Sequence, residues 1–255
     1  MKVLLAQLAP APGEVDANID TMEEAVKNHR EAEIAVFPEL FISGYFDGRE
    51  APYALDPAGH QMHRIADIAK EACTSLVFGY SERFEGGIAN SVAYVDHDGL
   101  LRASYRKAQL FGEGETDAFT AGEELVAVRM NDRLTGLLNC FDVEFPEHAR
   151  ALARSGAELL ITVAANMDPY AADHALAVRG RAVENRRPHI YVNRVGSEGD
   201  LDFVGESCIV APSGEIVSQL GRGPELRVVN LGPAEWIDRD VEYLRHVREL
   251  PVVPH

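Results

Sequence analysis

Apolar and polar positions along the chain fall into two alternating periods. KVLLAQLA (2–9) reads as a strand, Ala17 to Arg30 as an amphipathic helix, and AEIAVFPEL (32–40) as a buried strand. Gln61 to Cys73 is helical again, followed by SLVFGYSE (75–82) and IANSVAYVD (88–96) as strands. LVAVRM (125–130) and LTGLLNC (134–140) precede a helix over Pro146 to Ser155, the strand AELLITVAA (157–165) and a helix from Ala171 to Arg187. HIYVNRV (189–195), DFVGESCIVA (202–211), EIVSQL (215–220) and LRVVNL (226–231) close the pattern as strands. Such alternation predicts an α/β protein with a mainly parallel sheet and covering helices, while the short spacings at Gly86-Gly87, Asp98-Gly99 and Ser213-Gly214 predict hairpins and hence mixed pairing. Periodicity alone does not choose between one sheet and two. With no linker, low-complexity run or repeat, residues 1–255 are read as one domain.

Composition narrows the functional classes. A hydrophobic content of 46% in 255 residues is enough for a sizeable core. The net charge of −17, from 24 Lys+Arg against 41 Asp+Glu, disfavours a nucleic-acid partner. No run approaches the roughly 18–20 apolar residues of a membrane span, and the opening MKVLLAQLAPAPGEVD turns acidic too soon for a signal peptide, so the expected location is the cytoplasm. Cys73, Cys140 and Cys208 are odd in number and far apart, without metal-ligand spacing, so neither a disulfide framework nor a metal site is expected.

Three places put reactive chemistry at or near a strand end. In FPELFISGY (37–45), Glu39 ends an apolar run where an unpaired charge is costly. In YRKAQLFGEGETDAFTAG (105–122), Lys107 precedes an acidic stretch, Gly112 to Thr120, read as a loop. In LLNCFDVEFPE (137–147), Cys140 stands where a strand ends and a helix is about to start, an elbow that exposes a side chain the strand would bury. Taken singly, each has a bland alternative: a turn carboxylate, a solvated lysine, a small buried hydrophobe. Together they supply a nucleophile, a base, an oxyanion donor and an acid for a leaving ammonia, which is what thiol attack on an amide needs. Histidine is the usual partner of a reactive cysteine, but none of His29, His60, His63, His97, His148, His174, His189, His246 and His255 has a strand-end setting like that of Glu39.

With these blocks in the order FPELFISGY, YRKAQLFG, LLNCFDVEFPEHAR, and with ITVAANMDPY, RAVENRR and FVGESCIVAPSGEI after them, the chain resembles the nitrilase-like carbon–nitrogen hydrolases. The resemblance implies a four-layer α-β-β-α sandwich and a Glu-Lys-Cys triad of Glu39, Lys107 and Cys140, working without cofactor or metal. Within the superfamily the blocks are most similar to aliphatic amidases that hydrolyse 5-aminopentanamide and related short amides. The resemblance also implies an oxyanion contact from the Phe141 N–H, and a second glutamate, for which Glu115 fits best and Glu113 is the competitor. A homodimer or larger homo-oligomer is implied too, with EYLRHVRELPVVPH (242–255) reaching a partner.

Smaller expectations complete the reading. Asn166 and Met167 follow a strand and are expected beside Cys140, with Tyr45, Tyr170 and Glu184 as pocket walls. Glu147 and Arg150, near one helix start, are read as an ion pair, and Cys73 and Cys208 as packing residues. The acidic balance disfavours a substrate carboxylate and favours an amine-bearing tail, with Arg194 as the cation that would reverse this preference. The triad does not specify its electrophile, so a nitrilase or an N-carbamoyl amide hydrolase stands as the chemical alternative. A silent binding or assembly protein, or a thiol redox sensor on Cys140, is the alternative of another class.

Overall fold

The structure is a computed structural model and describes residues 1–45, 49–232 and 243–248. In its first half lie β1 (Lys2–Gln7), α1 (Val15–Asn28), β2 (Ile34–Val36), α2 (His60–Ala72), β3 (Ser75–Phe84), β4 (Gly87–Val95), β5 (Leu101–Arg106) and α3 (Gly112–Ala118). The second half holds β6 (Ala127–Met130), β7 (Arg133–Asn139), α4 (Pro146–Arg154), β8 (Leu159–Ala164), α5 (Ala171–Asn185), β9 (His189–Asn193), β10 (Val195–Glu198), β11 (Leu201–Val204), β12 (Cys208–Val210), β13 (Ile216–Gln219) and β14 (Glu225–Asn230).

Period-two alternation sorts the strand side chains onto two faces. Leu4 and Ala6 of β1, Ala35 of β2 and Leu76 and Phe78 of β3 pack against Ile19, Met22 and Val26 of α1 and Met62, Ile65 and Ile68 of α2. The intervening Val3, Leu5, Ile34, Val36 and Val77 turn the other way and meet Leu137, Ile161, Val163, Ile190 and Val192 of a second sheet. That second sheet gives its outer face to α4 and α5, through Leu138 and Leu160 against Ala149 and Leu152, and through Tyr191 and Val210 against Val178 and Ala182. The layers therefore run α-β-β-α. The first sheet has the order β14-β1-β2-β3-β4-β5, the second β13-β12-β9-β8-β7-β6. Each is parallel at its centre, β1-β2-β3 and β7-β8-β9, with antiparallel strands outside.

Hairpins stand at all three glycine-bearing turns expected. Elsewhere the structure revises the sequence pattern. The strand read over 32–40 is ordered as β2 only from Ile34 to Val36, because Pro38 has no N–H for a ladder. β5 had no assignment, and the stretch from Gly112 was read as a loop but forms α3. HIYVNRV and DFVGESCIVA are each two pieces. β9 stops at Asn193, β10 pairs with β11 in a separate ribbon, and positive φ at Gly205 (65°) and Glu206 (59°) breaks the second run before β12.

Candidate active site

Strands of both sheets, β2 and β7 from the parallel centres and β5 from an antiparallel edge, deliver the three blocks to one place. After β2 the chain passes so close to Gly79 of β3 that a Cβ there would lie 2.3 Å from the Leu40 nitrogen and 2.4 Å from the Glu39 Cα. Gly79 N–H donates to Pro38 O at 2.9 Å, which locks the segment carrying Glu39. Lys107 follows β5, its N–H bound to Asn90 O of β4 at 2.8 Å. Cys140 follows β7 at φ 48°, a left-handed conformation costly for a residue with a Cβ, and opens a 3₁₀ turn over Cys140–Glu144. The buried Asp142 side chain holds this elbow: its Oδ2 accepts from Asn139 N at 3.0 Å and Tyr105 OH at 2.7 Å, and its Oδ1 accepts from Gln109 N at 2.9 Å. Burial raises the Asp142 pKa despite the Tyr105 hydrogen bond. The carboxylate thereby ties the cysteine block to the lysine block.

Lys107 is fully buried and clamped between two buried glutamates. Its Nζ donates to Glu39 Oε1 at 2.8 Å and to Glu115 Oε1 at 2.9 Å. Glu39 Oε1 also accepts from Asn90 Nδ2 at 2.7 Å, and Oε2 from Ala165 N at 2.8 Å. Glu115 is further held by Tyr45 OH at 3.0 Å and Phe111 N at 2.9 Å. Burial alone would lower the Lys107 pKa, but the Glu115 and Glu39 carboxylates outweigh it and keep the ammonium charged. Burial raises the Glu115 pKa, with Lys107 pulling back. Burial also pushes the Cys140 thiol well up, Glu39 pushes it further, and Lys107 opposes both, so the resting group is a thiol.

The structure brings Glu39, Lys107, Glu115 and Cys140 together, and sorts the residues that the sequence left open. Glu115 faces Lys107 from α3, whereas Glu113 is exposed on the opposite side of that helix. Cys140 and Glu115 line a narrow cavity with Tyr45, Phe111, Phe141, Glu144, Ala165, Asn166, Met167, Tyr170 and His174. At about 10 Å³ it has room for roughly one water. A larger cavity of about 220 Å³ shares Asn166 and His174 but reaches neither Cys140 nor its glutamates, so size does not mark the reactive place.

Glu184 is not a wall residue: it pairs with Arg181, whose Nε donates to Val143 O at 3.0 Å and so braces the elbow from α5. Glu147 and Arg150 form no ion pair, since Glu147 points to solvent while an Arg150 Nη is buried. Arg194 is buried, pairs with Glu198 at 2.6 Å and lies 4.0 Å from the Phe203 ring centre. Cys208 is a packing residue in the same apolar cluster as Cys140, but Cys73 is exposed at the C-terminal end of α2. Sequence reasoning missed Asn90, Asp142, Glu144 and His174. The aspartate and the glutamate of CFDVE were its available signals, whereas the position of His174 comes only from how α5 packs.

A family model described as Carbon-nitrogen hydrolase matches residues 2–238. Among curated proteins the chain is 39% identical over 225 residues (87% of this chain, 79% of the relative) to a "Hydrolase in pqqF 5'region" of Pseudomonas protegens. It is 33% identical over 253 residues (97% and 92%) to an (R)-stereoselective amidase of Pseudomonas sp. Among solved structures, an amidase from Nesterenkonia sp. superposes with a TM-score of 0.85 at 31% identity, covering 96% of this chain and 95% of that one. A mutant of the amidase from Nesterenkonia sp. AN1, carrying the acetamide moiety of fluoroacetamide covalently added at its active-site cysteine, has a TM-score of 0.84 at 30% identity with coverages of 96% and 95%. The chain belongs to the carbon–nitrogen hydrolase family, in the nitrilase superfamily, and is a hydrolase acting on amides.

Proposed function

We propose that the protein hydrolyses a small aliphatic amide to its carboxylate and ammonia through a thioester on Cys140. The observation that carries this reading is the buried Lys107 ammonium, held by Glu39 and Glu115 beside a cysteine at a strained elbow. Of three N–H donors on Lys107, two are committed to carboxylates, leaving one for a developing oxyanion beside the Phe141 N–H. Glu39 Oε1 already accepts two hydrogen bonds and Oε2 only one, so Oε2 has the acceptor site open to a proton.

In the first half-reaction, Glu39 takes the thiol proton as the Cys140 sulfur bonds to the carbonyl carbon. The Lys107 ammonium and the Phe141 N–H stabilise the oxyanion. Glu39 returns the proton to the amide nitrogen, the C–N bond breaks, and ammonia leaves. In the second, Glu39 takes a proton from water, the hydroxide oxygen bonds to the thioester carbon, the C–S bond breaks, and the sulfur recovers its proton. A high resting thiol pKa fits this coupling, because the thiolate forms only as it attacks. The narrow cavity favours a slim, unbranched acyl group. A cytoplasmic location, supported by the free thiols, and a homo-oligomer, supported by exposed Leu176 and Val183 on α5, belong to the same reading. The C-terminal stretch assigned to a partner contact lies largely outside the described residues. Among those residues, no helix is long and apolar enough to cross a membrane.

Ammonia release from short amides, nitriles and N-carbamoyl amines tests the reaction, and intact mass spectrometry with a slow amide tests the intermediate. The expected result is ammonia from amides and an acyl adduct confined to Cys140, with Cys140→Ala inactive but folded. An adduct on Cys73 or Cys208, or turnover by Cys140→Ala, excludes this mechanism.

A further inference from the structure

We propose that the chamber of about 220 Å³ between α5 and the strands β9, β12 and β13 is a second binding site, for a short-chain carboxylate, and that its occupancy raises the KM at Cys140. Such a carboxylate is the product class of the proposed amidase. That link to the product rests on the amidase reading, whereas the site itself does not.

The chamber has an apolar body and one unmatched charge. Val178, Val204 and Cys208 form its walls, and Leu176 and Ile216, 75% and 40% exposed, leave its rim open to solvent. The charged side chains on its lining are Arg179 and Glu206. Glu206 Oε1 accepts from Arg222 Nε at 2.9 Å. Arg179 donates its Nε–H to Gly214 O at 3.0 Å, and its terminal amino groups meet no carboxylate among the described residues. The backbone contact fixes the guanidinium at the rim with parallel N–H donors free, the geometry that takes a carboxylate through two hydrogen bonds. Its charge reaches the chamber floor: burial pushes the Cys208 thiol up to about 12, and Arg179 pulls against that rise. An apolar cavity of about 150 Å³ holds benzene, so this one takes a tail of roughly six carbons behind the head group. An amine on the same tail meets Arg179 as a like charge, and an alcohol gives it no charge to pair.

Asn166 and His174 belong to this chamber and to the Cys140 cavity alike. His174 Nδ1 lies 2.9 Å from the OH of Tyr191, a chamber residue, and Nε2 lies 3.3 Å from Oε1 of Glu144, a residue of the Cys140 cavity. Asn166 is hydrogen-bonded to Tyr191 and donates from Nδ2 to Tyr170 O at 3.3 Å, so it spans the two cavities in the same way. At about 10 Å³ the Cys140 cavity must widen to admit an amide, and the chamber is the free volume behind the shared wall. A carboxylate seated there removes the space into which His174 and Asn166 yield. Substrate then binds less tightly, and by reciprocity bound substrate weakens the carboxylate by the same factor.

The test is calorimetric titration and steady-state kinetics with hexanoate, 1-hexanol and hexylamine as probes. Hexanoate should bind the wild type at least about ten-fold more tightly than the other two. It should raise KM for a short amide to a plateau about five-fold above the starting value, with kcat unchanged. The plateau marks a second site, because direct competition at Cys140 raises KM without limit. Arg179→Gln should weaken hexanoate by about ten-fold or more, with basal kcat/KM as in the wild type. Ala175→Trp, at an exposed position on the lining, should exclude hexanoate by filling the chamber and leaving the charge in place. No hexanoate binding, binding unchanged in both variants, or KM rising without a plateau overturns the proposal. Hexanoate binding only to single chains in analytical ultracentrifugation overturns it too, since a second copy then fills the chamber. If no amide yields ammonia while hexanoate binding still depends on Arg179, the amidase reading and the product link fall and the carboxylate site stands.

Discussion

At Lys107, a charge that burial alone would neutralise is kept by two carboxylates, and neither carboxylate is tolerable at that depth without the lysine. Removing one partner therefore disables the others. Glu39→Gln and Lys107→Ala should each lower kcat/KM by about 100- to 1,000-fold or more, and the double variant should lose little beyond the worse single one, because the groups act as a unit. Rates within ten-fold of wild type in either variant contradict the assigned roles. Asp142 carries the pH prediction. Its pKa is raised in the folded state, so the folded protein holds that proton more tightly than the unfolded chain does. The resulting stabilisation is complete below the unfolded pKa and is lost as pH rises through the folded one. Relative to Asp142→Asn, the wild type should lose stability over that acidic window. Urea midpoints for both proteins from pH 3.5 to 7 check it, and parallel curves for the two refute it. Of this network the sequence showed only the three reactive members and, by resemblance, Glu115. Asn90 and Asp142 are ordinary letters until strands from different sheets bring them into contact.

Elements explain both why the site is accurate and why part of it was hard to see. The segment after β2 passes so close to β3 at Glu39 that only a glycine fits at position 79 without moving that carboxylate. Gly79→Ala should destabilise by about 1–3 kcal/mol through overpacking and lower kcat more than it alters KM. Urea unfolding with steady-state kinetics measures both, and a stable, fully active variant would show that the segment yields. β3, β4, β7 and β8 were readable because they are largely buried on both faces and each carries a continuous apolar run. β5 is an edge strand in which Tyr105 alone is buried, so it carries no hydrophobic period. α3 holds two glycines in seven residues, a composition that disfavours helix. What fixes it is Glu115, drawn inward by Lys107. Electrostatics between a buried lysine and a glutamate eight residues on override local propensity there, an effect that helix periodicity does not register.

At the scale of the whole molecule, the sequence pattern gave the number and kind of most elements but not their division between two sheets, since an apolar strand reads alike whether it faces a helix or another strand. The division follows from alternation along each strand, and its consequence is a central layer to which both sheets contribute: Val3, Val36 and Val77 from the first, Leu137, Ile161 and Ile190 from the second. The groups proposed to be catalytic are distributed in the same way, Glu39 and Lys107 following strands of one sheet and Cys140 a strand of the other. A site so divided holds its geometry only while the central layer is intact. Ile161 is fully buried there, and truncating such a side chain costs about 2–5 kcal/mol. Ile161→Ala should therefore lower the stability of both sheets at once, with the chain melting in one transition shared by near- and far-ultraviolet circular dichroism, and activity disappearing on that same curve. Two resolved transitions, with one sheet outlasting the other, would mean that residues 1–255 are two folding units and that the central layer does not couple them.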